Sequence, residues 1–451
     1  MTRQKFWKHW HFIKISDGLT SPFQMLTMQG KNVKSIVVAK PDTILRGTIR
    51  LPASKSISNR LLMIGALCGE KFTVGNLSEA DDTILLQKLI ARILTEVDRS
   101  KVVELDTANA GTVMRFLTAW LAMVPGRWLL TGSERMKQRP IGILVDALNH
   151  LGASIDYLAK PGYPPLLIRG KELTQHELVI DQGVSSQFTT ALLLIAPYLP
   201  EGLILALKGS GVSSPYVKMT INLMQSYGAM IKEGKTRIHV KPGLYSPHEV
   251  HVESDWSAAA FWYEAAVLAD VVDIELIGLV ENSIQGDAIL PGVFRNFGIV
   301  SEFTQDGVRL TKVRKKSDGF YFDFTDYPDI AQAVITACAG MGIRGRFEGL
   351  RSLQIKETDR VQALKNEISK LGISVELSTQ ADILSALEIK SSKSALPGGL
   401  TFETYGDHRM AMALAPLALK SGSVKILNPD VVVKSYPHFW KDLQQVGFEI
   451  Y

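Results

Sequence analysis

The sequence predicts an α/β protein assembled from six copies of one unit, rather than a single doubly wound sheet. Three observations predict it. Six times, a short run of Ser, Asn, Asp or Gly opens directly into an apolar helical stretch, with starts about 55 to 80 residues apart. Five times, an amphipathic helical pattern ends in a glycine followed by a β-like run. No GxGxxG follows a strand-like run, so a dinucleotide-binding sheet is unsupported.

The six openings are SKSISNRLLMIGAL from Ser54, NAGTVMRFLTAWLA from Asn109, SSQFTTALLLIAP from Ser185, SDWSAAAFWYEAAVLA from Ser254, YPDIAQAVITACA from Tyr327 and GDHRMAMALAPLAL from Gly406. The five terminating glycines are Gly152, Gly228, Gly298, Gly372 and Gly447, each suited to a left-handed cap before a strand. The first unit lacks this glycine, so the repeat is imperfect there. Spread over the body of the chain, the units are about 70 residues each, with two helices and several short strands in mixed βαβ order.

A polar helix start presents free N–H groups and the positive end of the helix dipole, which attract anions. Ser, Asn and Asp also cap helices for purely structural reasons. What tips the balance is the set of cations near these starts: Lys55, Arg60, Arg115, His408 and Arg409. A cation in a first helical turn opposes the dipole, and an anionic ligand would compensate it.

Composition narrows the function. The chain has 451 residues, 46% hydrophobic and 21% charged, enough to bury more than one core. The net charge of +5 lies at one end: residues 1–40 hold seven Lys/Arg and one acid, and the remainder 43 bases and 44 acids. A near-neutral body offers no general attraction for nucleic acid. No stretch approaches the ~18 apolar residues of a membrane helix. Cys68 and Cys338 sit in apolar helical runs, which reads as core rather than disulfide or metal ligand. Trp256, Trp262 and Tyr263 read as core as well. Residues 1–35 show no clear period and no signal-peptide core; they read as a poorly ordered extension, with Met25 or Met28 as alternative starts.

The motifs carry a resemblance. LPASKSISNR (51–60) is similar to the LPGSKSxSNR string of the enolpyruvyl transferases, and within them of the EPSP synthase family, with Ala53 in place of the glycine. DTANAGTVMR (106–115) resembles that family's GNAGTxMR loop, with Phe116 where proline is usual. LTGSERMKQRPIG (130–142), VSSQF (184–188), GVSSPYVKMT (211–220), YPDIAQA (327–333), IKETDR (355–360), GDHRMAMA (406–413) and VVVKSYPHFW (431–440) follow in the family's order.

The resemblance implies two similar domains, each of three βαβαββ repeats in an inside-out α/β barrel. Residues 54–253 would form one domain, 36–53 with 254–451 the other, and the active site would lie in the cleft between them. It implies transfer of the enolpyruvyl group of phosphoenolpyruvate to the 5-hydroxyl of shikimate 3-phosphate in aromatic amino-acid biosynthesis, without metal or cofactor. The positions matching the phosphoenolpyruvate site are Lys55, Gly111, Arg139, Gln187, Arg360, Arg409 and Lys434. Those matching the shikimate 3-phosphate site are Ser56, Arg60, Ser185, Ser186, Ser213, Tyr216, Asp329 and Lys356.

Asp329, Glu357, Lys55 and His408 are the implied catalytic residues. Asp329 would activate the hydroxyl, Glu357 and Lys55 would move protons, and His408 would support them as a hydrogen-bond partner of Glu357. Arg115 and Arg135 read as structural ion-pair partners. A monomeric cytoplasmic enzyme is expected, with no nucleic-acid or membrane partner. Two alternatives stand beside this reading. A UDP-N-acetylglucosamine enolpyruvyl transferase would carry a reactive cysteine in its loop, and GSERMKQRPIG has none. A non-catalytic or nucleic-acid-related relative is disfavoured by the neutral body and the intact acid/base set.

Overall fold

The computed structural model describes residues 34–69, 73–181, 186–208, 214–315, 318–380, 383–390 and 396–451. The expected N-terminal extension lies outside them except for Lys34 and Ser35, the latter already in the strand Ser35–Ala39.

Among the described residues, five four-stranded sheets and one two-stranded sheet account for the six repeats. The second unit shows the pattern. Val102–Asp106 leads through helix Gly111–Leu121 to Gly126–Thr131, which pairs with it in parallel. Helix Gly142–His150 follows, and then the hairpin Ser154–Tyr157 with Leu166–Gly170, whose second strand pairs antiparallel with Gly126–Thr131. That is βαβαββ. The same order of pairing recurs in the sheets built on Glu177–Asp181, Ile44–Arg50, Gly319–Asp323 and Leu400–Phe402. The first unit is the exception: Val74–Gly75 pairs only with Val250–His251. The imperfect first repeat of the sequence is thus an abbreviated sheet among the described residues. All five terminating glycines have positive φ, the conformation that ends a helix without Cβ strain.

The helices that open the repeats are buried because they are apolar nearly all round. In Trp256–Leu268 every residue except Ser257 is buried, and in Ala331–Gly340 every residue is. A helix with no polar face packs inside its sheets rather than on them. Two hydrophobic cores result. One is drawn from Ala53 to Val252, the other from Val38 to Leu51 and from Trp256 to Phe448. Trp256, Trp262, Tyr263, Cys68 and Cys338 are all in them, as read from the sequence. The chain passes between the cores twice, side by side: Ala53 bridges Ser254, Ser54 N–H donates to the Glu253 carbonyl at 2.9 Å, and Asp255 N–H to the Pro52 carbonyl at 2.8 Å.

One core residue has a measurable consequence. Glu264 lies wholly inside the second core, with no hydrogen-bond partner among the described residues for either carboxylate oxygen, and burial pushes its carboxyl well above the usual 4.5. Below about 4.5 the folded and unfolded chains both hold the proton. Above it the unfolded chain ionises while the buried group does not, so stability falls as pH rises from there toward the raised value. Glu264→Gln removes that loss. The gap in denaturation midpoint between variant and parent is expected to widen from pH 5 to pH 8 in favour of the variant. An equal gap at both pH values would contradict an ionisable, unpaired Glu264.

Candidate active site

Helix starts from both cores converge on one cavity of about 350 Å³. Ser54 caps the helix Lys55–Cys68, which brings Lys55, Ser56 and Arg60 to the wall. Gly111 opens the next helix, and a Cβ there would stand 2.5 Å from Arg139 Nη2, so only glycine lets the guanidinium lie on that helix start. Ser186 and Gln187 begin helix Ser186–Ile195, and Tyr216 is second in Pro215–Ser226. From the other core come Asp329, just before helix Ala331–Gly340, Lys356 and Glu357 before helix Arg360–Ser369, and His408 and Arg409 at the start of His408–Leu414. All of these, Arg360 included, line the cavity.

Lys434 does not line it but pairs with Glu357, which does. Its Nζ donates to the Asn109 carbonyl at 2.8 Å and pairs with Glu357 Oε1 at 3.2 Å. Ser185 and Ser213 lie outside the described residues.

Among the described lining residues eight are Lys or Arg and five Asp or Glu, an excess of positive charge suited to polyanionic ligands. The carboxylates divide the cations between them. Arg360 donates from Nε to Asp407 Oδ2 at 2.7 Å and from Nη2 to Glu357 Oε2 at 2.9 Å. Arg409 Nη2 is 3.2 Å from Asp329 Oδ2, and the Tyr216 hydroxyl donates to the same oxygen at 2.8 Å. Lys55 Nζ is 3.2 Å from Asp82. The expected conflict of cation with helix dipole is thus met, without ligand, by internal carboxylates. Arg60 and Arg115 fall one turn deeper than the sequence suggested, being the sixth and fifth residues of their helices.

The electrostatics follow from these pairs. Burial pushes the Glu357 carboxyl up, but Lys434, Arg360 and Arg139 outweigh it and hold the group well below the carboxylate range. Burial likewise raises Asp329, and Arg409, Lys356 and Arg360 more than reverse it. Both are ionised at neutral pH. Burial, with Lys55 and Arg409 nearby, drives His408 well below 6.5, so the ring is neutral. Burial lowers the Lys356 ammonium, against the pull of Asp329.

Two expectations are corrected. His408 makes no hydrogen bond to Glu357: neither ring nitrogen has a partner, and Nδ1 lies 3.6 Å from Asp407. The short helix turns His408 toward its own cap, and Glu357 is taken up by Arg360 and Lys434. Arg115 and Arg135 bond backbone carbonyls, not carboxylates. Arg115 holds Gly111 and Pro140, whereas Arg135 reaches from one core to the carbonyls of Lys356 and Glu357 in the other, at 2.9 and 3.1 Å.

The sequence reading missed Asp82, Thr112 and Asp407. Asp82 looks like ordinary N-terminal acid in helix Asp81–Thr95. Thr112 takes a hydrogen bond from Gln187 Nε2 at 3.2 Å. Asp407, inside a quoted motif, is also the cap of helix His408–Leu414, and its second use on Arg360 has no signal in spacing.

Comparison with known proteins agrees with this geometry. A family model described as EPSP synthase (3-phosphoshikimate 1-carboxyvinyltransferase) matches residues 39–443. The 3-phosphoshikimate 1-carboxyvinyltransferase of Bacteroides fragilis is 45% identical over 407 residues, covering 90% of this chain and 96% of that protein. The protein of the same description from Sulfurovum sp. is 34% identical over 432 residues, covering 91% and 99%. A solved EPSP synthase structure from Acinetobacter baumannii superposes with a TM-score of 0.73 at 21% identity, covering 93% of this chain and 100% of that one, which bears on the fold alone. Six repeats around two cores, a cation-rich cavity where their helix starts meet, and a family match over most of the length lead to one conclusion: the chain belongs to the EPSP synthase family.

Proposed function

We propose that the cavity between the two cores is where this chain transfers the enolpyruvyl group of phosphoenolpyruvate to the 5-hydroxyl of shikimate 3-phosphate, releasing phosphate. The observation that carries it is the confluence, in one cavity, of matched residues from both cores: Lys55, Ser56, Arg60, Gly111, Arg139, Gln187 and Tyr216 from one, Asp329, Lys356, Glu357, Arg360 and Arg409 from the other. Each core is one domain, with boundaries near 53 and 254. Arg135, Lys434 and the Tyr216–Asp329 hydrogen bond join them when the cleft is closed. The enzyme acts as a cytoplasmic monomer on small-molecule substrates, without nucleic-acid or membrane partner.

Phosphoenolpyruvate, with about three negative charges, lies against Arg139, Arg360, Arg409, Lys434 and Lys55, with Gly111 N–H and Gln187 as neutral donors. Shikimate 3-phosphate lies against Ser56, Arg60, Ser186, Tyr216, Lys356 and Asp329; for its phosphate the family resemblance adds Ser185 and Ser213, outside the described residues. A proton is added to the methylene carbon of phosphoenolpyruvate and the 5-hydroxyl oxygen attacks the neighbouring carbon, giving up its proton. The tetrahedral intermediate then loses phosphate and a proton from the former methylene carbon.

The ligand charges explain how ionised carboxylates become proton carriers. Lys434, Arg360 and Arg139 hold Glu357 ionised. A bound phosphate competes for those same cations, so the proton affinity of Glu357 rises as the substrate arrives. The test is acceptor dependence. Purified chain with phosphoenolpyruvate is expected to release phosphate when shikimate 3-phosphate is added, and not with UDP-N-acetylglucosamine. Release with the nucleotide sugar alone would overturn the assignment.

A further inference from the structure

The turn Gln285–Asp287 carries no part of the proposed reaction and does not line the cavity, yet it sits on the double crossing of the chain. Gln285 is 6% exposed, and its carboxamide is bonded on both sides. Its Oε1 accepts from Ser54 Oγ at 3.0 Å and from Trp256 N–H at 3.1 Å. Its Nε2 donates to Glu253 Oε1 at 2.7 Å and to the Ser254 carbonyl at 2.8 Å. Ser54 is the cap of helix Lys55–Cys68, and Trp256 is the first residue of helix Trp256–Leu268. One amide therefore fastens the starts of two helices that belong to different cores. Asp255 ties them a second time, capping its own helix while accepting from Lys55 N–H at 3.2 Å.

The rest of the turn reaches two more walls of the cavity. A Cβ on Gly286 would stand 2.3 Å from Pro215 Cβ, so the turn lies flush on the helix that presents Tyr216. Asp287 Oδ2 accepts from Ser257 Oγ, a lining residue, at 2.5 Å.

We propose that Gln285 is a positioning residue for the transfer reaction: its carboxamide fixes the start of helix Lys55–Cys68 against that of Trp256–Leu268, and so sets where Lys55 and Ser56 stand in the closed cleft. The inference rests on the roles given above to Lys55 and Ser56. An amide is required because this position must accept on one side and donate on the other. A glutamate of the same length does both only after taking up a proton. An apolar residue would leave Ser54 Oγ and Glu253 without this partner in a buried place.

Gln285→Glu separates positioning from mere structure. It keeps shape and the Oε1 acceptor but sets oxygen against Glu253 Oε1 and the Ser254 carbonyl. The arrangement is then restored only by a proton held between the introduced carboxylate and Glu253. Burial already raises the Glu253 carboxyl, with hydrogen bonds from Ser283 and Gln285 opposing and Asp255 adding to the rise. The other charged groups around the knot are Asp287, two residues on, and Lys55, paired with Asp82. At saturating substrates the variant is expected to lose roughly 10- to 100-fold in kcat at pH 8, the scale of a misplaced catalytic group, and to recover toward the parent at pH 6.

Adding Glu253→Gln to Gln285→Glu supplies a donor again and should restore much of kcat at pH 8. A folded Gln285→Glu enzyme with parental kcat at pH 8, or with the same loss at pH 6 and 8, would overturn the proposal. Should that variant not fold at pH 8, Ser54→Ala tests the same link, with a several-fold fall in kcat expected and parental kcat as the contrary result. Failure of the underlying site reading looks different: the parent itself would not turn over with shikimate 3-phosphate.

Discussion

Glu357→Gln is expected to lower kcat by roughly 10²–10⁴, the range for losing a general acid or base, with smaller changes in KM. The carboxylate is buried among Arg360 Nη2 at 2.9 Å, Lys434 Nζ at 3.2 Å and Arg139 Nη1 at 4.0 Å. An amide of the same shape still packs there and still accepts from Arg360. It can neither take nor return a proton, and it leaves the three cations with one less counter-charge. Substrate anions should therefore bind the variant at least as well as the parent while chemistry stalls. Steady-state kinetics at fixed pH measure both quantities. Near-normal kcat would remove Glu357 from proton transfer without touching the family assignment.

Arg139→Ala is expected to act the other way, raising the apparent KM for phosphoenolpyruvate by an amount on the order of 2–4 kcal/mol. The guanidinium is buried on the start of helix Gly111–Leu121, with Nη1 on the Asn109 carbonyl at 3.2 Å. Its Nε is buried, with no hydrogen-bond partner among the described residues. The residue also lines the cavity, where its guanidinium can meet an anion. A contact made in ground and transition state alike changes KM more than kcat. A fall in kcat alone, with phosphoenolpyruvate saturating as before, would exchange the roles given to Arg139 and Glu357.

Much of this was legible in the sequence because the architecture repeats. Glycine must take positive φ at the end of each amphipathic helix, so Gly152 through Gly447 mark the helix–strand junctions at regular intervals. The first unit, imperfect in the sequence, has among the described residues only a two-stranded sheet. Charged residues close to capped helix starts pointed to the cavity, since a cation there needs an anion. What the sequence hid was the identity of the anion in the free site. Asp82, Asp329 and Asp407 satisfy Lys55, Arg409 and Arg360 across 27, 80 and 47 residues of chain, and no local spacing encodes such pairings. The same holds for Arg135, whose carbonyl contacts with Lys356 and Glu357 span 221 and 222 residues. His408 misled for a different reason. The resemblance implied a hydrogen bond to Glu357, whereas neither ring nitrogen has a hydrogen-bond partner among the described residues and burial keeps the ring neutral.

The central claim is that both substrates lie between the two cores, drawing the cations away from Glu357 and Asp329. The most direct measurement is a crystal structure of this chain with shikimate 3-phosphate and a non-reacting phosphoenolpyruvate analogue. The account predicts both ligands in the one cavity, the analogue's phosphate on Arg139, Arg360 and Lys434, and the 5-hydroxyl within hydrogen-bond distance of Asp329. Either ligand bound wholly within one core, or a 5-hydroxyl turned away from Asp329, would contradict it.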